Sequence, residues 1–322
     1  MDKPFLTFEQ QIEKLKTDYG LIIPNYNFAL KALYSFSYYD LVNGYQSIYM
    51  MDNKYKNGIT MELLCATHMF NKNIQGVLFK YSTYAENAFK TLLSHVIANS
   101  FSENQGKYLD IVNYKKFSNP ERKKRLEDNL KTIKYICQNT NDTPTSFYRK
   151  TKNHIPPWIL FRNISFSDAT NLFSFLETKE KNDLFNYMNY LNTDKIDFQN
   201  KVNILLDALT LTRKFRNKIA HNLDFLTYRG SRLNKNANFF FKDSLVLESE
   251  LKRTRHDIWA MVLSIVILLN NNTLIYNFLA ELNSFMESDE NMTSLYCDFA
   301  GIPHDFGTRI SKFMKESLSD IS

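Results

Sequence analysis

Apolar residues recur at helical spacing through most of this chain. Leu78, Tyr81, Ala85, Ala88, Phe89, Leu92 and Val96 mark one face of a helix expected over 75–99. Val202, Leu205, Leu206, Leu209, Phe215 and Ile219 do the same over 197–222. Asn119-Pro120-Glu121 reads as the cap and first turn of a helix over 120–138, and a strongly apolar helix is expected over 250–270. Four long helices, at 75–99, 120–138, 197–222 and 250–270, predict an up-and-down bundle, so the fold class is all-α.

Shorter elements surround it. Thr7-Phe-Glu-Gln10 is a capping-box pattern, Asn25 or Asn27 is placed to cap a second helix, and Thr60 opens one expected to end near Lys72. Residues 139–153 are polar and read as a loop, and Ser167-Asp168 is expected to cap a helix through Glu177. A short helix is expected from about Lys181 to Leu191. The stretch 228–250 is rich in Asn, Ser, Arg and Lys; it reads as an excursion carrying a β-hairpin, with Phe239-Phe-Phe241 buried. The expected organisation is an N-terminal helical unit over 1–72, a bundle over 73–270 with that polar insertion, and a C-terminal helical extension over 271–322.

Composition agrees. With 8 glycines and 7 prolines in 322 residues there are few helix breakers, and 44% hydrophobic content supplies a sizeable core. The net charge of +6 permits contact with nucleic acid without demanding it. Cys65, Cys137 and Cys297 stand far apart, in no metal-ligand spacing and no disulfide framework, which fits a reducing cytoplasm. The start of the chain lacks a signal-peptide layout. The longest apolar run, Trp259 to Leu269, is too short to span a bilayer, so no membrane association is expected.

The segment Arg213-Lys-Phe-Arg216-Asn217-Lys218-Ile-Ala-His221-Asn222 carries the candidate chemistry. Arginine presents fixed donors to a phosphate, and histidine moves protons near neutral pH. Together they suffice to cut RNA without a metal. Five helical steps turn by roughly 140°, so Arg216 and His221 meet one phosphate only if the helix end distorts or a second copy faces the first. The alternative is a surface ion pair for Arg216 and a helix-capping role for His221. A second Arg-x4-His pair, Arg149 and His154, lies in the polar stretch before Pro156-Pro157, where nothing is expected to fix its geometry.

Glu86 and Lys90 sit one turn apart beside the apolar stripe and read first as an ordinary ion pair. Arg122, Lys123, Lys124 and Arg125 read first as a solvated face and second as a footprint for an RNA backbone. Phosphate-loop, dinucleotide, zincin and nucleophile-elbow motifs are absent. The six histidines do not pair at metal spacing, and the acids do not cluster as a two-metal nuclease needs, so neither metal nor cofactor is expected.

The order of several blocks resembles the Abi-like (AbiD/AbiF-type) abortive-infection proteins, which carry a domain of the HEPN superfamily. Pro4-Phe-Leu-Thr-Phe-Glu-Gln-Gln is similar to their opening helix, and Phe36-Ser-Tyr-Tyr39 with Gly44-Tyr45 to their tyrosine-rich signature. Tyr84-Ala-Glu86-Asn-Ala-Phe-Lys90 resembles their first bundle helix, and Pro156-Pro-Trp158 their Pro-x-Trp segment. Arg216-Asn217-x-x-Ala220-His221 matches their Arg-Asn-x-x-Ala-His core, and Gly301-Ile-Pro303-x-x-Phe306 resembles their tail. Many members follow the histidine with a second one; here the residue is Asn222.

The resemblance implies a HEPN endoribonuclease in antiphage defence or a toxin–antitoxin pair. It implies a homodimer, RNA as substrate and, as in some relatives, a small regulatory RNA. Arg216 and His221 would be catalytic. Asn217, Asn222, Glu86 and Lys90 would support them, and Arg213, Lys218, Lys123, Lys124 and Arg125 would bind RNA. The alternative is a module of a defence system that binds RNA or protein without turnover.

Overall fold

The computed structural model describes residues 4–152, 154–222 and 225–319. The fold is all-α, as expected. The N-terminal part holds α1 (Phe8–Thr17), α2 (Tyr26–Ser35), and the single turns α3 (Tyr38–Leu41) and α4 (Gln46–Tyr49). The Thr7/Gln10 capping box and the Asn25 cap form as expected. A tight hairpin, β1 (Met50–Met51) with β2 (Lys54–Tyr55), reverses at Asp52 and Asn53, both in the left-handed region at φ 49° and 60°. Asp and Asn tolerate that conformation better than other non-glycine residues.

The Thr60 hydroxyl accepts the Leu63 N–H at 3.1 Å and opens α5, which runs from Met61 to Ser100 without interruption. The break expected between Lys72 and Gln75 is therefore absent, and the division expected at 72 falls inside one helix about 60 Å long. The polar residues at this point of the helix have tertiary or local partners. Asn71 donates to the Tyr45 hydroxyl and accepts from the Tyr296 hydroxyl, both at 3.1 Å. Lys72 donates to the Gln75 side chain at 3.0 Å.

After the turn α6 (Gln105–Tyr108) come α7 (Pro120–Asn139), α8 (Thr145–Thr151), α9 (Pro157–Leu160), α10 (Phe166–Ser174), α11 (Thr178–Phe185) and α12 (Phe198–Ala220). Residues 145–151 are thus helical rather than loop. Helix α10 is capped two residues earlier than expected, at Ser165, which forms a reciprocal capping box with Asp168. The chain closes with α13 (Ile258–Leu269), α14 (Asn272–Met286), α15 (Glu290–Ala300) and α16 (Phe306–Ser319).

The bundle is built differently from the expected four. Helices α5, α12 and α13 pack on one another, with α10 on α5 and α12 and α14 on α5. Helix α7 lies outside, against α10. Helix α13 begins at Ile258, not near 250, because Asp257 caps it and accepts the Ala260 N–H at 2.9 Å. All twelve of its residues are buried. Each large aliphatic side chain there contributes about 1.5–3 kcal/mol of burial energy. The one hydroxyl, Ser264, returns its hydrogen bond to the Ala260 carbonyl at 2.7 Å.

No hairpin forms over 228–250 among the described residues. The segment makes short 3-10 turns at Lys235–Phe241 and Glu248–Glu250 instead. Buried Asn238 explains why: its amide donates to the carbonyls of Glu250, Leu251 and Arg253, gathering the loop around one side chain. Of the three phenylalanines only Phe241 is fully buried, and Phe239 faces solvent. Glu250 pairs with Arg255 at 3.0 Å and with Arg309, tying the insertion to α16.

Candidate active site

Arg216 and Glu86 define the site. Helix α12 runs antiparallel to α5, since Arg216 meets Glu86 while Asn222, six residues on, meets Lys72 further back along α5. The apolar stripe through Leu209 and Phe215 seats α12 in the core, and it turns Arg216 toward α5. The guanidinium Nη2 binds Glu86 Oε2, and Nη1 donates to Asn217 Oδ1 at 3.2 Å. Its Nε is buried without a hydrogen-bond partner. The Arg216 side chain keeps 28% of its surface exposed, so the group is anchored and still reachable.

Glu86 is shared. Its other oxygen binds the Lys90 ammonium at 2.6 Å, and Lys90 also donates to the Ile164 carbonyl at 2.7 Å. The i,i+4 pair expected from sequence forms, but it belongs to a three-residue network rather than to a solvated face. One carboxylate between two cations leaves the cluster net positive, which suits an anion.

His221 sits where α12 stops. It is the C-cap, its N–H donating to the Asn217 carbonyl at 3.0 Å, and its side chain is exposed. Ala220 beside it is exposed and leaves space. Asn217 thus positions His221 through its backbone, while its side chain serves Arg216. Asn222 then reverses the chain at φ 54°. Its amide nitrogen donates to Asp40 Oδ2 at 2.8 Å, and its carbonyl oxygen accepts from Lys72. The helix end is therefore distorted at the histidine and clamped on its far side.

Asp40 and Lys72 were not foreseen as site residues. Asp40 directly follows the tyrosine-rich Phe36-Ser-Tyr-Tyr39, which is the one local signal that marks it. Both line a small pocket with Tyr39, Tyr45, His68 and Asn222. His68 is buried, and its Nδ1 lies 3.2 Å from the Tyr45 hydroxyl. Burial and then the nearby Lys72 push its pKa below the ordinary value, against a smaller opposing pull from Asp40.

The other expected residues separate. Arg213 is half-buried on α12 with an unpartnered Nε. Lys218 lies over the Tyr228 ring, 4.6 Å from its centroid. Lys123, Lys124 and Arg125 are on α7, away from the last turn of α12, and Lys123 approaches Glu127 at 3.9 Å. Arg149 donates to the Cys137 and Thr140 carbonyls at 3.0 and 2.6 Å, so it caps α7 and does not pair with His154. Among the described residues no three His, Cys, Asp or Glu side chains are grouped as metal ligands, and no helix is long and apolar enough to cross a membrane.

A family model described as Abi-like protein matches residues 31–227, well over half of the chain. That span takes in Asp40, Lys72, Glu86, Lys90, Arg216, Asn217, His221 and Asn222. No curated protein and no solved structure matches.

Proposed function

The chain belongs to the Abi-like family, with its implication of abortive-infection defence, and from that premise we propose that it is a HEPN endoribonuclease working without a metal. The observation that carries the reading is the pairing of an anchored guanidinium with an exposed imidazole. Arg216 is held by Glu86 and Asn217, and five residues later His221 stands exposed at a clamped chain reversal.

In this mechanism His221 takes the proton of a ribose 2′-hydroxyl. The 2′-oxygen attacks the adjacent phosphorus, the bond from phosphorus to the 5′-oxygen breaks, and that oxygen leaves protonated. Arg216 stabilises the charge that gathers on the non-bridging oxygens. The products are a 2′,3′-cyclic phosphate and a 5′-hydroxyl. A homodimer would place two such pairs in one cleft and give the base and the acid separate imidazoles. Tyr84 on α5 and Trp158 on α9, both exposed on helices that pack together, suit such an interface. The protein would act as the toxin of a toxin–antitoxin pair or as an abortive-infection effector, with a small regulatory RNA as a further partner.

The test is incubation of the protein with RNA, and with DNA of the same sequence, in EDTA, followed by end-group analysis. RNA should acquire cyclic-phosphate ends while DNA stays intact. Folded His221→Ala and Arg216→Ala variants should not cut; parental rates in either variant defeat the assignment. The non-catalytic reading draws on the ion pair to Glu86, which occupies part of Arg216 already. Tight RNA binding with no new ends would favour it.

A further inference from the structure

A second polar site lies at the opposite end of α12. A groove of about 770 Å³ opens between α7, α10 and the first turns of α12. That volume lies within the range of small-molecule sites. Leu206, at its inner edge, precedes Arg216 by ten residues, or about 15 Å along the helix. The groove is therefore separate from the Arg216/His221 cluster.

Its lining holds more cations than carboxylates. Lys115, Arg122, Arg125 and Lys181 face Asp128 and Asp168. Asp168 is already engaged, by the Ser165 cap and by the Asn129 amide at 3.3 Å. Among the described residues no carboxylate lies within ion-pair distance of Lys115, Arg122, Arg125 or Lys181. Lys181 is the telling one. It is 93% buried, at 7% exposure, and its ammonium donates to the Ser174 and Leu176 carbonyls at 3.0 and 2.6 Å. Burial, and next to it the charge of Lys115, lower its pKa to about 8, against opposing pulls from Glu177 and Glu180.

Two further features narrow the ligand. Asn129, buried in the groove wall, has a side-chain oxygen with no hydrogen-bond partner. The Phe117 ring, half-buried at the rim and packed edge-on to Phe175 with centroids 5.9 Å apart, offers an apolar surface. A buried lysine beside unpaired arginines calls for an anion with several oxygens. An aromatic face beside an unsatisfied amide oxygen suits a flat ring with polar edges.

We propose that this groove binds a nucleoside phosphate, either free or as one unit of an RNA strand. The phosphate lies against Lys115, Arg122, Arg125 and Lys181, and the base lies against Phe117 with an edge toward Asn129. The proposal does not depend on the nuclease reading, because neither probe below is cut.

The full-length protein is titrated with ATP and, separately, with a short fluorescein-labelled oligouridylate whose 2′-hydroxyls are methylated. At least one should bind. The double variant Arg122→Glu/Arg125→Glu should weaken that probe by about tenfold or more. Lys123→Glu/Lys124→Glu makes the same charge change on the same helix outside the groove and should weaken it far less. Asn203→Trp fills the groove without changing charge and should also abolish tight binding. Whether ATP or the oligomer responds identifies the source of the phosphate. The proposal fails if neither probe binds the parent protein, if both charge-reversal pairs weaken binding equally, or if a folded Asn203→Trp variant binds as the parent does. Should Asn203→Trp not fold, the comparison of the two charge-reversal pairs decides alone.

Discussion

Glu86 and Arg216, 130 residues apart in sequence, are joined by an ion pair whose carboxylate also holds Lys90. Removing the carboxylate strands two partly buried cations. Glu86→Ala is expected to cost about 1–3 kcal/mol, and to slow RNA cleavage by about tenfold or more as Arg216 loses its anchor. Glu86→Gln keeps the shape and one acceptor, so it should recover most of the stability and little of the activity. Urea denaturation and initial cleavage rates on the same preparations check both.

His221 and Arg216 should behave differently. His221 is exposed at a helix end, so His221→Ala is expected to change stability by no more than about 0.5 kcal/mol while abolishing cleavage. Arg216→Ala should abolish cleavage and also lower the melting temperature, because Glu86 is then left with Lys90 alone. Thermal melts beside cleavage assays separate a group that acts on substrate from one that also holds the fold.

The clamp beyond the histidine can be taken apart stepwise. Asn222 combines a left-handed backbone, at φ 54°, with side-chain bonds to Asp40 and Lys72. Asn222→Gly keeps the turn and removes the bonds. Asn222→Ala removes both and should be the less stable of the two by about 1 kcal/mol. If the clamp positions His221, both variants cut more slowly, and Asp40→Ala slows cutting as Asn222→Gly does. Unchanged rates in all three would show that His221 works without it.

Asp207 on α12 gives a pH signature. Burial raises its pKa to about 6, against a lowering backbone bond from Asn234. The folded state therefore holds this proton more tightly than the unfolded chain does. The resulting stability is fully present below the ordinary value of 3.8 and is lost as pH rises through about 6. Asp207→Asn should raise the melting temperature at about pH 8 and leave it nearly unchanged at about pH 4. An equal effect at both pH values would contradict the assignment.

The sequence shows α12 almost completely, because Asp197 caps it, Val202 to Phe215 mark its buried face and His221 ends it. Local patterns of this kind are written in neighbouring residues. The continuity of α5 is not, because the apolar pattern changes near Gln75, and the partners of Asn71 across that point, Tyr45 and Tyr296, are brought to it only by the fold. Helix α13 is misjudged at its start, since Asp257 caps it only after a polar stretch that a periodicity reading runs through. Arg216, Asn217 and His221 are legible as a motif. Asp40 and Lys72 join them only through the fold. The groove residues Lys115 and Lys181 stand 66 positions apart and give no joint signal along the chain.

The Asn71 junction has a consequence for how the protein is made. Tyr45 precedes Asn71 by 26 residues and is made before it, whereas Tyr296 follows it by 225. Until then a long helix carries a polar seam with one side uncovered. A nascent chain that has not reached Tyr296 therefore leaves this interior open, with one of the two hydroxyls that meet Asn71 missing.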